Sequence, residues 1–462
     1  MNNNIRKMAI GLISSFVILI GYLSYINLYS GPKVLGHYTN KRTVALEKET
    51  QRGKIIDSSG TVLAQSVTKG AGYQRQYPYG ALYSYVVGYD SQKYGRTGIE
   101  AAFNGNLLGM QGTTEANNVL RRLEGKPPQG DDVTLTLRHD LQSLGYQLLG
   151  NRRGAIVLMS PQDGSVQAMV STPSYDANQV EELWAQLTKS EAGLFLNRAT
   201  QGLYPPGSTL KVMTAAGALQ KLPNITSRHF SCPGYLQIGN YRLGDLGVHG
   251  DLNLTEALVK SCNTTFGELG IELGSQNMLK LFEQFGFGHK WPLPIPGSAS
   301  RPPAEAGLSK SVLAQTAIGQ GDVLATPLHM ALITSAIANQ GDIPKPQLVA
   351  KITNPQGQDL WNLRGEKLMS VMTPEEAIFL QQAMTGVVER GTGRSAQIPG
   401  IKVAGKTGSA ENPHGQAHAW FIGFAPAERP KYVIAVIVEN AGFGGREAAP
   451  IAQKMLKQAL QS

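Results

Sequence analysis

Cysteine is nearly absent from this 462-residue chain, where only Cys232 and Cys262 occur. Two thiols can build neither the disulfide scaffold of a small secreted domain nor a zinc site of four cysteines. They leave open a single disulfide or two free, buried thiols. Charge is also sparse, at 16% of residues against 42% hydrophobic, the reverse of the balance that keeps a chain disordered. No block of Lys and Arg interleaved with aromatic residues is present, so the formal charge of +9 offers no nucleic-acid groove. It would still draw the protein towards an anionic surface such as membrane headgroups. Internal repeats are missing too, and the length fits two or three ordinary domains with a sizeable core.

One long apolar run is present. From Met8 to Tyr29 no residue is charged, and as a helix this stretch would span the roughly 30 Å of a bilayer's hydrocarbon. It exceeds the usual signal-peptide core and ends in no clear small-x-small site, so it reads as an uncleaved anchor. Arg6 and Lys7 favour a cytoplasmic N-terminus, while Lys33, Lys41 and Arg42 on the far side oppose that bias. The organisation expected is a cytoplasmic tail at 1–7, the anchor at 8–29, a small mixed module at 30–150 and one large domain at 151–462. In the small module, "GKIIDSSGTVLAQS" and "DDVTLTL" look like strands amid Tyr- and Gly-rich turns, with no recurring titratable cluster. In the large one, "GAIVLMSPQDGSVQAMVSTP" reads as a hairpin turning at Asp163-Gly164. "IKVAGKTGSA", "AWFIGFAP" and "KYVIAVIVEN" are three more strands before a closing helix. The fold class is α/β (α+β), with first and last pieces sharing one antiparallel sheet and a helical middle packed on it.

Three short motifs carry chemistry. In "LYPPGSTLKVMTAAGAL" the corner Pro205-Pro206-Gly207 places Ser208 at a helix start, where unpaired N–H groups favour developing negative charge. Lys211 follows one turn later on a helix apolar nearly all round, where burial would depress its pKa and let it accept the serine proton. Alone, SxxK equally describes a capping serine beside a snorkelling lysine, and it recurs at Ser30–Lys33 and Ser66–Lys69. "SCN" sets Ser261 and Asn263 between two helical stretches, offering a hydroxyl to relay a proton and an amide to bind a peptide carbonyl. The same spacing recurs at Ser275–Asn277. Cys262 has no histidine evidently placed as its base and is a poor nucleophile candidate. "KTG", Lys406 to Gly408, ends an apolar strand. Gly405 and Gly408 would let a bound peptide approach the backbone, while Lys406, Thr407 and Ser409 offer a cation and two hydroxyls to a carboxylate. His414 and His418 have i, i+4 spacing, but Pro413 and Gly415 oppose a helix. Neither a metal nor any other cofactor is needed by these motifs. Glu439 and Asp322 read as structural.

In this order the three motifs are those of penicillin-binding proteins and serine β-lactamases. The chain resembles a class B penicillin-binding protein, the monofunctional transpeptidase type with a short N-terminal module, similar to the mycobacterial and actinobacterial cell-division form. "RGKIIDSSGTVLAQS" and "YPYGALYSYVVGY" look like that module, and "NRATQGLYPPGSTLKV", "IGQGDVLATPLHMA" and "VAGKTGSAEN" look like the transpeptidase domain. The resemblance implies that Ser208 is acylated, that Lys211 is its base, and that Ser261 and Asn263 form the second catalytic element. Lys406, Thr407, Gly408 and Ser409 would then hold the substrate carboxylate, with Ser409 standing where many members carry threonine. It further implies D-alanyl-D-alanine stem peptides of peptidoglycan as substrate, β-lactams as covalent inhibitors, the cytoplasmic membrane as location and a glycosyltransferase of a division complex as partner. A carboxypeptidase or β-lactamase shares the acylation chemistry, and a non-catalytic β-lactam sensor or division scaffold would share the motifs without turnover.

Overall fold

The computed structural model describes residues 3–25, 47, 49–70, 72–304, 307–413 and 415–461. Lys33, Lys41, Arg42, the Ser30–Lys33 pattern and His414 lie outside these residues, as do positions 26–29 of the expected anchor. What is described of the anchor is a helix, Asn3–Tyr25, which takes in Arg6 and Lys7 ahead of the apolar run. Every side chain described in it is exposed, which for an apolar helix fits lipid contact. It is the one helix among the described residues long and apolar enough to cross a membrane.

The central sheet has five strands, in the order Ala404–Ala410, His418–Ala425, Tyr432–Val438, Gly154–Met159 and Val166–Thr172. All neighbours are antiparallel. The expected hairpin is its last pair, closing through Asp163-Gly164, and the expected union of the first and last segments is this sheet. Side chains alternate between its faces. Trp420, Ile422 and Phe424 point into the larger core, whereas Ala419, Phe421 and Ala425 join a second cluster with Met455 and Leu456. The closing helix Gly444–Gln461 covers the second face and the helix Pro327–Ala338 the first. Every residue of Pro327–Ala338 is buried, with the central sheet on one side and the helix Pro374–Glu389 and the strand Asp342–Pro344 also packed against it. Burial keeps its His329 neutral, pushing the imidazole down to about 4.

A second sheet has six strands, in the order Asp359–Asn362, Val349–Thr353, Asp132–Leu135, Ile55–Ile56, Val62–Lys69 and Gly72–Gln76. Ile55–Ile56 runs parallel to Asp132–Leu135, and the other pairs are antiparallel. Two of its strands therefore come from positions 349–362, far downstream of the rest. Contrary to the reading that no titratable cluster recurs here, Glu100 sits wholly buried between two guanidinium groups, 2.7 Å from Arg52 Nη2 and 2.6 Å from Arg75 Nε. Arg96 pairs beside them with Glu47 and Asp90, each at 2.6 Å. The contributors are scattered between positions 47 and 100, so no local pattern announced them.

Removing one partner of a buried ion pair leaves the other charge uncompensated, at a cost of about 3–5 kcal/mol. Glu100→Gln, which keeps the volume and removes the charge, is expected to lower unfolding stability by about that amount in urea denaturation. A loss below about 1 kcal/mol, the range of exposed pairs, would contradict the role assigned to this cluster.

Candidate active site

Ser208 lies in a short 3-10 turn, Gly207–Leu210, that runs directly into the helix Lys211–Lys221. The corner before it is held from several sides. Pro205 O accepts from Trp420 Nε1 at 3.0 Å, Pro206 O from Thr209 Oγ1 at 2.6 Å, and Gly207 N donates to Gly319 O at 2.9 Å. Gly207 has φ +53°, a left-handed conformation that suits glycine. A Cβ there would stand 3.1 Å from Ser409 O and from Ala410 Cβ. A Cβ on Gly408 would meet Thr209 Cγ2 at 3.0 Å and Pro206 O at 3.1 Å. The two glycines thus let the serine turn and the strand Ala404–Ala410 lie backbone against backbone. Ser208 itself is half-buried.

Behind the turn, Lys211 has 0% exposure. Its Nζ donates to Ser261 O at 2.6 Å and Asn263 Oδ1 at 2.6 Å, with Ser261 Oγ at 3.4 Å. Lys406, also at 0%, donates to Ser261 Oγ at 2.8 Å and Thr407 O at 3.0 Å. The Ser261 hydroxyl is therefore bracketed by two buried amines. Its position depends on the backbone: Ser261 caps the helix Leu254–Lys260 in the left-handed region, φ 60° and ψ 39°, a conformation costing a non-glycine residue roughly 1–2 kcal/mol. The chain then restarts at once as the helix Asn263–Gln284. Asn263 Nδ2 donates to Gly244 O at 2.9 Å, so its amide joins two chain segments as well as the lysine.

Burial disfavours a charged amine. It pushes Lys211 down to about 8, with the carboxylate of Asp245 pulling the other way. Lys406 is held well below the usual lysine range by burial and then by the charge of Lys211. Asp245 offsets part of the burial at Lys211, whereas at Lys406 the charge of Lys211 adds to it.

The structure brings Lys211, Ser261, Asn263 and Lys406 into one hydrogen-bonded cluster and sets Ser208 on the turn that leads into it. Thr407, Gly408 and Ser409 follow Lys406 along the sheet edge. The look-alike patterns fall elsewhere, Ser66–Lys69 on a strand of the six-stranded sheet and Ser275–Asn277 inside a helix. Sequence reasoning missed Asp245, whose side chain is fully buried, and Thr392, whose Oγ1 lies 2.6 Å from Thr407 Oγ1. Neither sits in a motif. Glu439 pairs with Arg198 Nε and accepts from Tyr204 OH, each at 2.7 Å, bracing the segment before Ser208.

Comparison with known proteins meets this geometry. Residues 154–457 match the penicillin binding protein transpeptidase domain, and residues 52–133 the penicillin binding protein A dimerisation domain. The chain is 32% identical to the peptidoglycan D,D-transpeptidase PbpA of Mycobacterium tuberculosis, covering 100% of this chain and 99% of the relative. Among solved structures it is similar to penicillin-binding protein A of M. tuberculosis in a ceftriaxone acyl-enzyme complex (33% identity, TM-score 0.85, covering 90% of this chain and 99% of that one). It is also similar to the D,D-transpeptidase domain of a peptidoglycan glycosyltransferase from Eggerthella lenta (37% identity, TM-score 0.81, 89% and 99%). A match that spans most of the sheet-and-helix domain, together with kinship along the full length, establishes that the chain belongs to the penicillin-binding protein transpeptidase family.

Proposed function

We propose that this protein is a peptidoglycan D,D-transpeptidase working through a serine acyl-enzyme. The observation that carries the reading is the cluster of Lys211, Ser261, Asn263 and Lys406 behind the Ser208 turn. Ser208 Oγ attacks the carbonyl of the penultimate D-alanine of a stem peptide, and its proton passes to neutral Lys211 Nζ. The carbonyl oxygen gains the negative charge, which the backbone N–H groups of Ser208 and Ser409 receive. When the tetrahedral centre collapses, the terminal D-alanine leaves with a proton relayed through Ser261 Oγ, 2.8 Å from Lys406 Nζ. An amine of a neighbouring stem then attacks the ester, forming the crosslink and freeing Ser208. Thr407, Ser409 and Lys406 take the substrate carboxylate, and the edge strand Ala404–Ala410 pairs with its peptide backbone. A β-lactam enters as a mimic of the D-alanyl-D-alanine end and acylates the same oxygen.

The remaining organisation is part of the same reading. The helix Asn3–Tyr25 anchors the chain with Arg6 and Lys7 on the cytoplasmic side. Residues 30–150 form a non-catalytic platform, residues 151–462 work outside the membrane, and a glycosyltransferase supplies the strands to be crosslinked.

Fluorescent penicillin should label the full-length protein in detergent one-to-one, and Ser208→Ala should abolish labelling. Lys211→Ala should slow acylation by about 10²–10⁴-fold, the usual range for loss of a general base. Normal labelling of either variant removes the assignment. Since the amine of Lys211 becomes neutral as pH rises through about 8, the acylation rate should climb between pH 6 and pH 9 and then level. A rate flat or falling across that window contradicts Lys211 as the base. Bound penicillin should be released slowly; rapid turnover would identify a hydrolase instead.

A further inference from the structure

The two cysteines belong to a cluster that the acylation chemistry does not use. Cys232 ends the strand His229–Cys232, and Cys262 lies between Ser261 and Asn263. Both are buried and free. The strand Gly250–Asn253 pairs antiparallel with His229–Cys232, Gly250 opposite Cys232, which sets His249 beside Cys232. Asp245 enters from the end of the hairpin Tyr235–Gly244.

Their polar atoms point at one another. Cys232 Sγ is 3.4 Å from His249 Nδ1 and 3.5 Å from Asp245 Oδ2. Cys262 Sγ is 3.1 Å from the same carboxylate oxygen, and His249 Nδ1 is 3.8 Å from Asp245 Oδ1. One ligand atom from each of the four residues lies within 4.8 Å of all the others. With zinc bonds of the usual length to sulfur, nitrogen and oxygen, the edges of a coordination tetrahedron come to about 3.4–3.8 Å. Three of the six separations, Cys232 Sγ to His249 Nδ1 and both sulfurs to Asp245 Oδ2, are 3.1–3.5 Å and lie near those edges, and the others are within 4.8 Å. The residues around them fix the ligands, as outer partners of metal sites do. Thr264 N donates to Asp245 Oδ2 at 2.9 Å, Leu246 N to its Oδ1 at 2.8 Å, and Thr265 approaches Cys262 Sγ through N at 3.4 Å and Oγ1 at 3.3 Å.

We propose that Cys232, Asp245, His249 and Cys262 form a structural zinc site that pins the Ser261–Asn263 loop to the hairpin and to the strand His229–Cys232. Two sulfurs, an imidazole nitrogen and a carboxylate oxygen gathered this closely suit zinc, whose borderline softness accepts all three. Four protein ligands leave no open position, so the ion holds structure and does not activate water. On binding, the thiol protons of Cys232 and Cys262 go to solvent, four metal–ligand bonds form, and no electron is transferred. A disulfide between the two sulfurs would use neither His249 nor Asp245, and a simple hydrogen bond from Cys262 to Asp245 would not require the imidazole. The convergence of all four favours the ion. The placement of Cys262 between Ser261 and Asn263 means the ion would hold the backbone of the catalytic loop without touching substrate.

The test uses the full chain in detergent, purified without chelator, with zinc measured by elemental mass spectrometry. Equimolar zinc is expected, returning after stripping and dialysis against zinc alone. Replacement by cobalt should produce a thiolate-to-cobalt charge-transfer band. Both thiols should resist maleimide when zinc is bound and react once it is stripped. Cys232→Ser combined with His249→Ala should lose the metal while the Glu439–Arg198 region and the anchor remain intact. Wild-type protein equilibrated with zinc that holds none, with both thiols reactive, overturns the site. So does an intact mass two hydrogen atoms short with no reactive thiol, the mark of a disulfide, and so does a folded double variant that keeps its zinc. Should the double variant fail to fold, the wild-type stoichiometry, cobalt spectrum and thiol protection decide alone.

Discussion

The arrangement on which everything else depends is a serine hydroxyl held between two buried amines. Ser261 Oγ lies 2.8 Å from Lys406 Nζ and 3.4 Å from Lys211 Nζ. Two ammonium groups this close, both out of water, cannot both keep their charge without large cost. Holding Lys211 at about 8 instead of its ordinary value corresponds to something on the order of 3 kcal/mol set against the protonated form. That energy comes from the packing of the domain, and it brings the amine to where it can lose its proton near neutral pH, as the proposed base must.

The fold can impose this because the three contributors come from elements that cannot move independently. Lys406 is on the edge strand of a sheet with both faces covered, by the helix Gly444–Gln461 on one side and Pro327–Ala338 on the other. Lys211 begins a helix whose residues 211–218 are all buried. Ser261 is fixed by a left-handed cap between two helices. The join between strand and serine turn is close: a Cβ on Gly207 or Gly408 would stand 3.0–3.1 Å from atoms of the other segment, so a side chain on either backbone would push the two apart. Ser208 is left half-buried at the mouth of this assembly, with Lys211, its proposed base, behind it and the strand proposed to receive substrate beside it.

Much of this was legible in the sequence because the chemistry is written locally. Ser208 and Lys211 are one turn apart on a run with almost no other charge, and the strands of the central sheet are short apolar runs bounded by turns. The motifs were ambiguous singly, as Ser66–Lys69 and Ser275–Asn277 show; order along the chain made them informative. What could not be read was whatever depended on convergence from distant positions. Asp245 touches the Ser261–Asn263 loop from a hairpin, Thr392 meets Thr407 across two elements, and the Glu100 pocket gathers Arg52 and Arg75 from separate segments. The strands Val349–Thr353 and Asp359–Asn362 looked like part of the later domain but complete the earlier sheet. Counting cysteines excluded a four-cysteine site without revealing that two of them meet a histidine and an aspartate.

The central claim is that burial draws Lys211 far enough below the ordinary lysine range to be neutral part of the time near neutral pH, and it is tested most directly by its own titration. Lysines labelled with 13C at Cε can be followed by NMR in the full chain, with the Lys211 signal identified by its loss in Lys211→Arg. The account predicts a midpoint near 8, in line with the value set by burial. A Lys211 that titrates with the exposed lysines, near 10.4, would contradict it.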